Sequence, residues 1–170
     1  QRAVGYTLTG DTSAQGMFLM YGSKGRNGKG TFIRVLEKLF GDYGDTADSN
    51  ILMMKQASSS GHTDQIANLA TLRAVFINES NESDRFDEKT VKWLTGGDTV
   101  SASFKGGRTF SFRPQFKIWM STNYIPRITG VDDGIWRRLP IIPFNYQIPE
   151  DQIDLDLDKV ATGEYWTAQE

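Results

Sequence analysis

Apolar residues run without interruption over 17–21, over 74–77 and over 118–120, and each run closes on glycine or polar residues. Continuous apolar runs of that length are how strands buried on both faces of a parallel sheet read. Between them the period changes. Phe32, Val35, Leu36, Leu39 and Phe40 recur at helical spacing, as do Ile66, Leu69 and Ala70 within 63–71 and Val91 and Leu94 within 87–95. Each set predicts a helix with one apolar face, and Gly96-Gly97 stops the last of them. Residues 99–112 carry β-prone residues around Lys105, Gly106, Gly107 and Arg108, which predicts a β-hairpin with a basic tip. The runs at 73–79 and 116–123 predict strands that end in polar groups, and 137–144 predicts a last short strand. Residues 1–14 read as the end of a preceding element and a turn, 41–49 as a polar loop, and 57–61 as a second loop next to His62, a surface or capping residue. The short apolar piece 51–54 fits a strand or the start of a helix. Strands alternating with helices predict an α/β architecture with a mainly parallel sheet flanked by helices.

The stretch from Tyr21 to Thr31, Y-G-S-K-G-R-N-G-K-G-T, sits between the first apolar run and the first helix. Strand, glycine-rich turn and helix are the setting of a phosphate-binding loop, in which inward-turned N–H groups and the helix N-terminus meet anionic oxygen. Gly25, Asn27, Gly28, Lys29, Gly30 and Thr31 are then the nucleotide-binding candidates, with Lys29 reaching the terminal phosphates as a point charge. The alternative is a loop that only caps a helix. Two positions depart from G-x-x-x-x-G-K-[ST]: Ser23 stands where the first glycine is due, with Gly22 one residue early, and Gly30 follows the lysine, with Thr31 one place later.

Composition narrows the class. A chain of 170 residues suits one domain with its own core, and 38% hydrophobic with 24% charged residues is ordinary globular usage. No run is long and apolar enough to cross a bilayer as a helix, so no membrane partner is expected. Cysteine is absent and His62 is the one histidine, which excludes disulfides and thiolate or histidine-rich metal sites and agrees with a reducing compartment. With Gln1 at its start, the expectation is a segment of a longer chain. The net charge of −2 is unevenly spread: residues 1–144 hold 18 Lys and Arg against 14 Asp and Glu, whereas 145–170 hold one Lys and seven acids. Residues 98–127 contain five bases (Lys105, Arg108, Arg113, Lys117, Arg127) and one acid, the place to look for contacts with a phosphate backbone.

Phosphoryl transfer to water needs a phosphate cradle, a metal ion, a group that orients water, and positive charge on the γ-phosphate. Glu79, at the tip of a buried strand, is the candidate to polarise water or hold metal through water; its neighbour is Asn78, where many such ATPases have an acid. Asn123 ends the next strand and either senses the γ-phosphate or forms a turn before Pro126. Arg137 and Arg138 follow a loop rich in glycine and aspartate, and one of them either serves as an arginine finger or pairs with Asp132 or Asp133.

N-G-K-G-T at 27–31, the acid-ended strand at 73–79, K-W-L-T-G-G-D at 92–98, S-T-N at 121–123 and G-I-W-R-R-L-P-I-I-P-F at 134–144 occur in one order. In that order the chain resembles the superfamily 3 helicase module of phage and plasmid primase–helicases, the D5-like or P4-like group, over roughly residues 4–145. The resemblance implies a P-loop NTPase with a modified AAA+ core and an inserted β-hairpin, a hexameric ring, and ATP with Mg²⁺ used to move on DNA, single-stranded or at a fork. It implies a cytoplasmic setting, bacterial or in a phage-infected host, and a fused or associated primase domain. By position Lys29 and Thr31 match the Walker A residues, Glu79 the Walker B acid, with Thr31 and Glu79 on the metal, Asn123 the polar sensor and Arg138 the arginine finger. Lys105, with Arg108 beside it, falls on the hairpin that faces the channel in related ring helicases. Phe104 either stacks on a base or packs the hairpin against its own subunit. The expected organisation is an ATPase core over 1–145 and an acidic linker, or the start of a C-terminal domain, over 146–170. Two other functions fit parts of the pattern: a slowly hydrolysing nucleotide-dependent assembly module, consistent with Gly30 and Asn78, and a P-loop kinase for a small molecule. Against the kinase, the sequence shows no arginine-rich lid.

Overall fold

The computed structural model describes residues 1–54, 62–78, 81–130 and 133–153. In chain order the first half forms α1 (Arg2–Leu8), β1 (Phe18–Tyr21), α2 (Lys29–Phe40), β2 (Gly44–Thr46), α3 (His62–Asn68) and β3 (Ala74–Asn78). The second half forms α4 (Glu88–Thr95), β4 (Val100–Ala102), β5 (Phe110–Phe112), β6 (Lys117–Thr122), α5 (Asp133–Trp136) and β7 (Ile141–Pro143). Five strands make one parallel sheet in the order β2-β3-β6-β1-β7.

The continuous apolar runs form the middle of that sheet because both of its faces are covered. Every residue of β6 is buried, as are the first four of β3. Side chains alternate between the faces. Leu19, Val75, Ile77, Ile118 and Met120 enter the larger core, shared with Ile66, Leu69, Val91, Leu94 and Ile135 from α3, α4, α5 and the turn after α3. Met20, Ala74, Phe76 and Trp119 face the other way, against Ile33, Leu36 and Phe40 of α2 and Ala3 and Val4 of α1. The Trp119 indole N–H donates to Thr7 Oγ1 at 3.1 Å, so the buried ring keeps its polar atom satisfied while its face packs on Phe18 at 4.4 Å between centroids.

Helix α4 opens with Asp87, whose carboxylate accepts from the Thr90 N–H and hydroxyl, and stops where Gly97 turns left-handed at φ +78°. The hairpin lies apart from the main sheet, with Val100 opposite Phe112 and Ala102 opposite Phe110.

Three expectations are corrected. Residues 44–46 of the polar loop form an edge strand against β3, with Gly44 pressed against Phe76 and Phe40 so closely that a Cβ would lie 2.9 Å from the Phe76 ring. The strand predicted over 137–144 is confined to Ile141–Pro143, because α5 and a turn occupy 133–139 and only then does the chain enter the ladder beside β1. Residues 51–54 are neither strand nor helix start: a 3₁₀ turn at Ser49–Ile51 leads to a single bridge between Met53 and Phe86.

Candidate nucleotide-binding site

β1 lies between β6 and β7, and the chain leaves its C-terminal end into α2 on one face of the sheet. A crevice outside the strand ends at such a point is where open parallel sheets bind ligands. The ladder continues one residue past β1, since the Gly22 N–H donates to the Thr122 carbonyl at 3.2 Å. The loop then turns through two left-handed residues, Arg26 at φ +57° and Gly28 at +82°. Asn27 braces it: its amide donates to the carbonyls of Lys24 at 2.7 Å and Phe144 at 3.2 Å. Among the described residues, the N–H groups of 24–28 donate to no partner. Orphan donors in front of a helix N-terminus are what an anion needs.

Lys29, the first residue of α2, is buried at 7% exposure. Its ammonium donates to the Gly22 carbonyl at 2.9 Å, Asn27 Oδ1 at 3.1 Å and Asn123 Oδ1 at 2.8 Å. All three protons are thereby directed. Burial pulls its pKa below the usual lysine value. The contact with Asn123 joins the loop lysine to the polar end of β6, two residues 94 positions apart in the chain. Beside this contact opens a cleft of about 340 Å³ lined by Asn27, Lys29, Gly30, Arg34, Asn78 and Asn123 among others.

The remaining candidates fall out as follows. Gly28 supplies the left-handed turn into α2. A Cβ on Gly25 would meet nothing within 4 Å, and one on Gly30 would meet only Nη1 of Arg34, at 3.6 Å. The Thr31 hydroxyl accepts from Arg34 Nη2 at 3.2 Å. Glu79 lies outside the described residues, as does Asp132, while Asn78 closes β3 at the cleft. Arg138 is buried at 8%, its guanidinium donating to the Gly134 carbonyl and, at 3.1 Å, to Gln15 Oε1. Arg137 is the exposed member of the pair. Lys105 and Arg108 are exposed at the hairpin tip, where Phe104, 48% exposed, stacks on Phe110 at 5.8 Å.

Sequence reasoning missed two features. Arg34 sits four residues after Gly30 and three after Thr31, on the same helix face, a signal that a helical wheel carries. Residues 146–153, expected as linker, touch the loop: beyond the Phe144 N–H on the Tyr21 carbonyl, the Ile148 N–H donates to the Arg26 carbonyl, both at 2.7 Å, and Glu150 pairs with the Arg26 guanidinium. The expected boundary at 145/146 therefore does not end the segment that packs on the loop; residues 154–170 lie outside the described residues.

The profile of a family described as of unknown function, DUF5906, matches residues 20–138, from β1 to Arg138. The chain is 36% identical over 137 residues to a protein of Acanthamoeba polyphaga mimivirus named "putative helicase", a match that covers 81% of this chain and 14% of that protein. A protein of Frog virus 3 (isolate Goorha) with the same kind of name is 27% identical over 130 residues, covering 74% of this chain and 13% of its own length. The chain thus spans about a seventh of these curated relatives. Among solved structures, an apo form of the NrS-1 C-terminal region is 18% identical with a TM-score of 0.63, over 89% of this chain and 34% of that one, and so shares the fold. Among the described residues, no helix is long and apolar enough to cross a membrane. The chain belongs to the DUF5906 family, and with helicase-named relatives and this fold its resemblance to superfamily 3 helicase domains stands.

Proposed function

We propose that this domain binds ATP at the loop between β1 and α2 and hydrolyses it as the motor of a DNA helicase. The observation that carries the reading is the Lys29 ammonium held at the cleft floor by Gly22, Asn27 and Asn123. A lysine that reaches from the helix N-terminus to the end of the neighbouring strand suits a grip on the terminal phosphates, and Asn123, which holds Lys29 through Oδ1, has its amide N–H₂ to donate to a γ-phosphate oxygen or the attacking water. The loop amides and the dipole of α2 supply further positive potential. Of the described side chains lining the cleft, Glu37 is the one carboxylate and the other oxygen donors, Asn78 and Asn123 among them, are neutral, and no group of three His, Cys, Asp or Glu that can hold a metal ion occurs among the described residues. Such donors would suit a Mg²⁺ ion held mainly by phosphate and water, which when bound would offset negative charge on the transferred group. Glu79 is the proposed acid that turns water toward the γ-phosphate.

The exposed hairpin tip with Lys105 and Arg108 is the proposed DNA contact, holding a strand by its phosphates without reading sequence. One such tip binds weakly, and a ring, six-membered by the resemblance, multiplies it through avidity. In that ring an arginine of the 137–138 pair reaches the neighbouring subunit's nucleotide. Arg137 is the exposed one and gives up a bond to Gln15, whereas Arg138 must leave both Gly134 and Gln15. The wider proposal is a replication protein of a virus, phage or plasmid, working in the host cytoplasm, with a primase domain fused or associated.

The test is ATP hydrolysis with and without single-stranded DNA, with light scattering on the same sample. Hydrolysis stimulated by DNA, an ATP-dependent rise in mass, and a loss of about 100-fold or more in Lys29→Ala are expected. Lys105→Ala and Arg108→Ala are expected to weaken binding of a labelled oligonucleotide and to flatten its salt dependence, by a slope of about one each. Intact hydrolysis in Lys29→Ala overturns the site. A slow assembly module, favoured by the neutral pair Gly30 and Asn78, shows ATP-dependent assembly with little turnover.

A further inference from the structure

Lys29 is spoken for by three neutral oxygens, and the next cation facing the cleft is Arg34. Its guanidinium lies across the first turn of α2, with Nη2 3.2 Å from Thr31 Oγ1 and Nη1 3.6 Å from the place of a Cβ on Gly30. A methyl group there makes ordinary contact with the guanidinium, and a branched side chain at position 30 shares its space. The two departures at this site, a glycine after the lysine and Asn78 at the end of β3, both remove groups that serve a metal ion. Arg34 adds a permanent positive charge in the same cleft, which the Glu37 carboxylate also lines.

We propose that Arg34 is a phosphate-binding residue acting within its own subunit. It grips the terminal phosphates of a nucleoside triphosphate and takes over part of the charge neutralisation otherwise left to a divalent cation. Gly30 is the small residue that makes room for it. The proposal rests on the reading of this cleft as a nucleotide site. A guanidinium suits that role because it stays charged at any working pH and offers a planar fork to two phosphate oxygens, which an ammonium does not. Two consequences follow from the geometry. Triphosphate binding survives removal of divalent cations, and preference for ATP over ADP depends on Arg34.

The experiment is titration of a fluorescent N-methylanthraniloyl ATP against the protein, in Mg²⁺ and in EDTA. Wild type is expected to bind in both. Arg34→Ala is expected to lose about tenfold or more of its affinity in EDTA and less in Mg²⁺, with Arg34→Lys between the two. Lys38→Ala removes a cation from an exposed position of the same helix and is expected to change neither, which separates a local grip from general charge. Gly30→Thr crowds the guanidinium from the other side and is expected to lower the EDTA affinity as well, so the test survives if Arg34→Ala melts early. Unchanged EDTA affinity in both Arg34→Ala and Gly30→Thr, with Lys29→Ala no longer binding, overturns the role of Arg34 alone. Unchanged affinity in Lys29→Ala too overturns the nucleotide site itself.

Discussion

At Gly22 the chain passes through a gap that no side chain fits. A Cβ there would lie 2.2 Å from Nδ2 of Asn27, 2.6 Å from the Phe144 carbonyl oxygen and 3.1 Å from Nζ of Lys29. The carbonyl belongs to the backbone joined to β1, so it cannot swing away as a side chain does. Gly22→Ala is therefore expected to cost about 1–3 kcal/mol, read by urea unfolding, and to weaken nucleotide binding by displacing Lys29. Gly25→Ala is the contrast, because its Cβ meets only open space, and its unfolding midpoint is expected to match wild type. By spacing, the first glycine of the motif falls on Ser23, with Gly22 one residue early. Close approach of Asn27, Phe144 and Lys29 shows why the glycine is needed at 22 instead. That approach depends on a segment more than 100 residues downstream, as the separation of 117 between Asn27 and Phe144 shows, and no local pattern contains it. Lys29 was legible because its chemistry is local, a lysine at a strand-to-helix turn. The choice between Arg137 and Arg138 was not, since both guanidinium groups donate to Gln15 and what sets the buried one apart is its bond to the Gly134 carbonyl.

Elements were legible in proportion to how much apolar surface they bury. β1, β3 and β6 read directly, being buried on both faces, and α2 and α4 read from one apolar stripe each. β2 did not: Gly44, Asp45 and Thr46 carry no apolar signal and are a strand only through their pairing with Ala74, Val75 and Phe76. The segment after β7 was opaque for a related reason. Its acidic composition describes a solvated linker, while its backbone is tied to the loop between β1 and α2 by the Ile148 N–H on the Arg26 carbonyl. The accompanying ion pair between Arg26 and Glu150 is 57% and 73% exposed, and contributes at most about 1 kcal/mol. The tie should thus matter to loop order more than to global stability. Truncation after Asn145 is expected to leave the unfolding midpoint nearly unchanged while lowering nucleotide affinity severalfold, because Arg26 and Gly28 lose the segment that holds their left-handed turn. Titration of the truncated chain with a fluorescent ATP analogue checks this. Equal affinity in the two chains would show that the loop is held by Asn27 and Lys29 alone.

The whole molecule places its chemistry at one end of the sheet and a buried charge at the other. The C-terminal ends of β1, β3 and β6 converge on the cleft, whereas Lys117 opens β6 and is 2% exposed. Its ammonium donates to the Thr9 carbonyl and lies 4.5 Å from the centre of the Tyr6 ring, which pins α1 and its following turn under the sheet. The basic stretch 98–127 was the place to look for phosphate contacts, and Lys117 is its buried base. Burial pulls its pKa from the ordinary lysine value of 10.5 to about 8, with Asp11 raising it and Arg73 lowering it further. Between those values the unfolded chain carries a proton on this lysine that the folded chain has released. Unfolding then takes up a proton, so the lysine's contribution to stability rises with pH across the window from about 8 to 10.5 and is flat below it. The measurement is urea unfolding of wild type and Lys117→Met at intervals from pH 7 to pH 10, taking the difference in stability at each so that other titrating groups cancel. That difference is expected to move in favour of wild type above pH 8, with a slope approaching about 1.4 kcal/mol per pH unit where the folded lysine is neutral and the unfolded one charged. A difference that stays level throughout would mean that Lys117 keeps its proton in the folded state, held there by Thr9 and Tyr6 strongly enough to offset its burial.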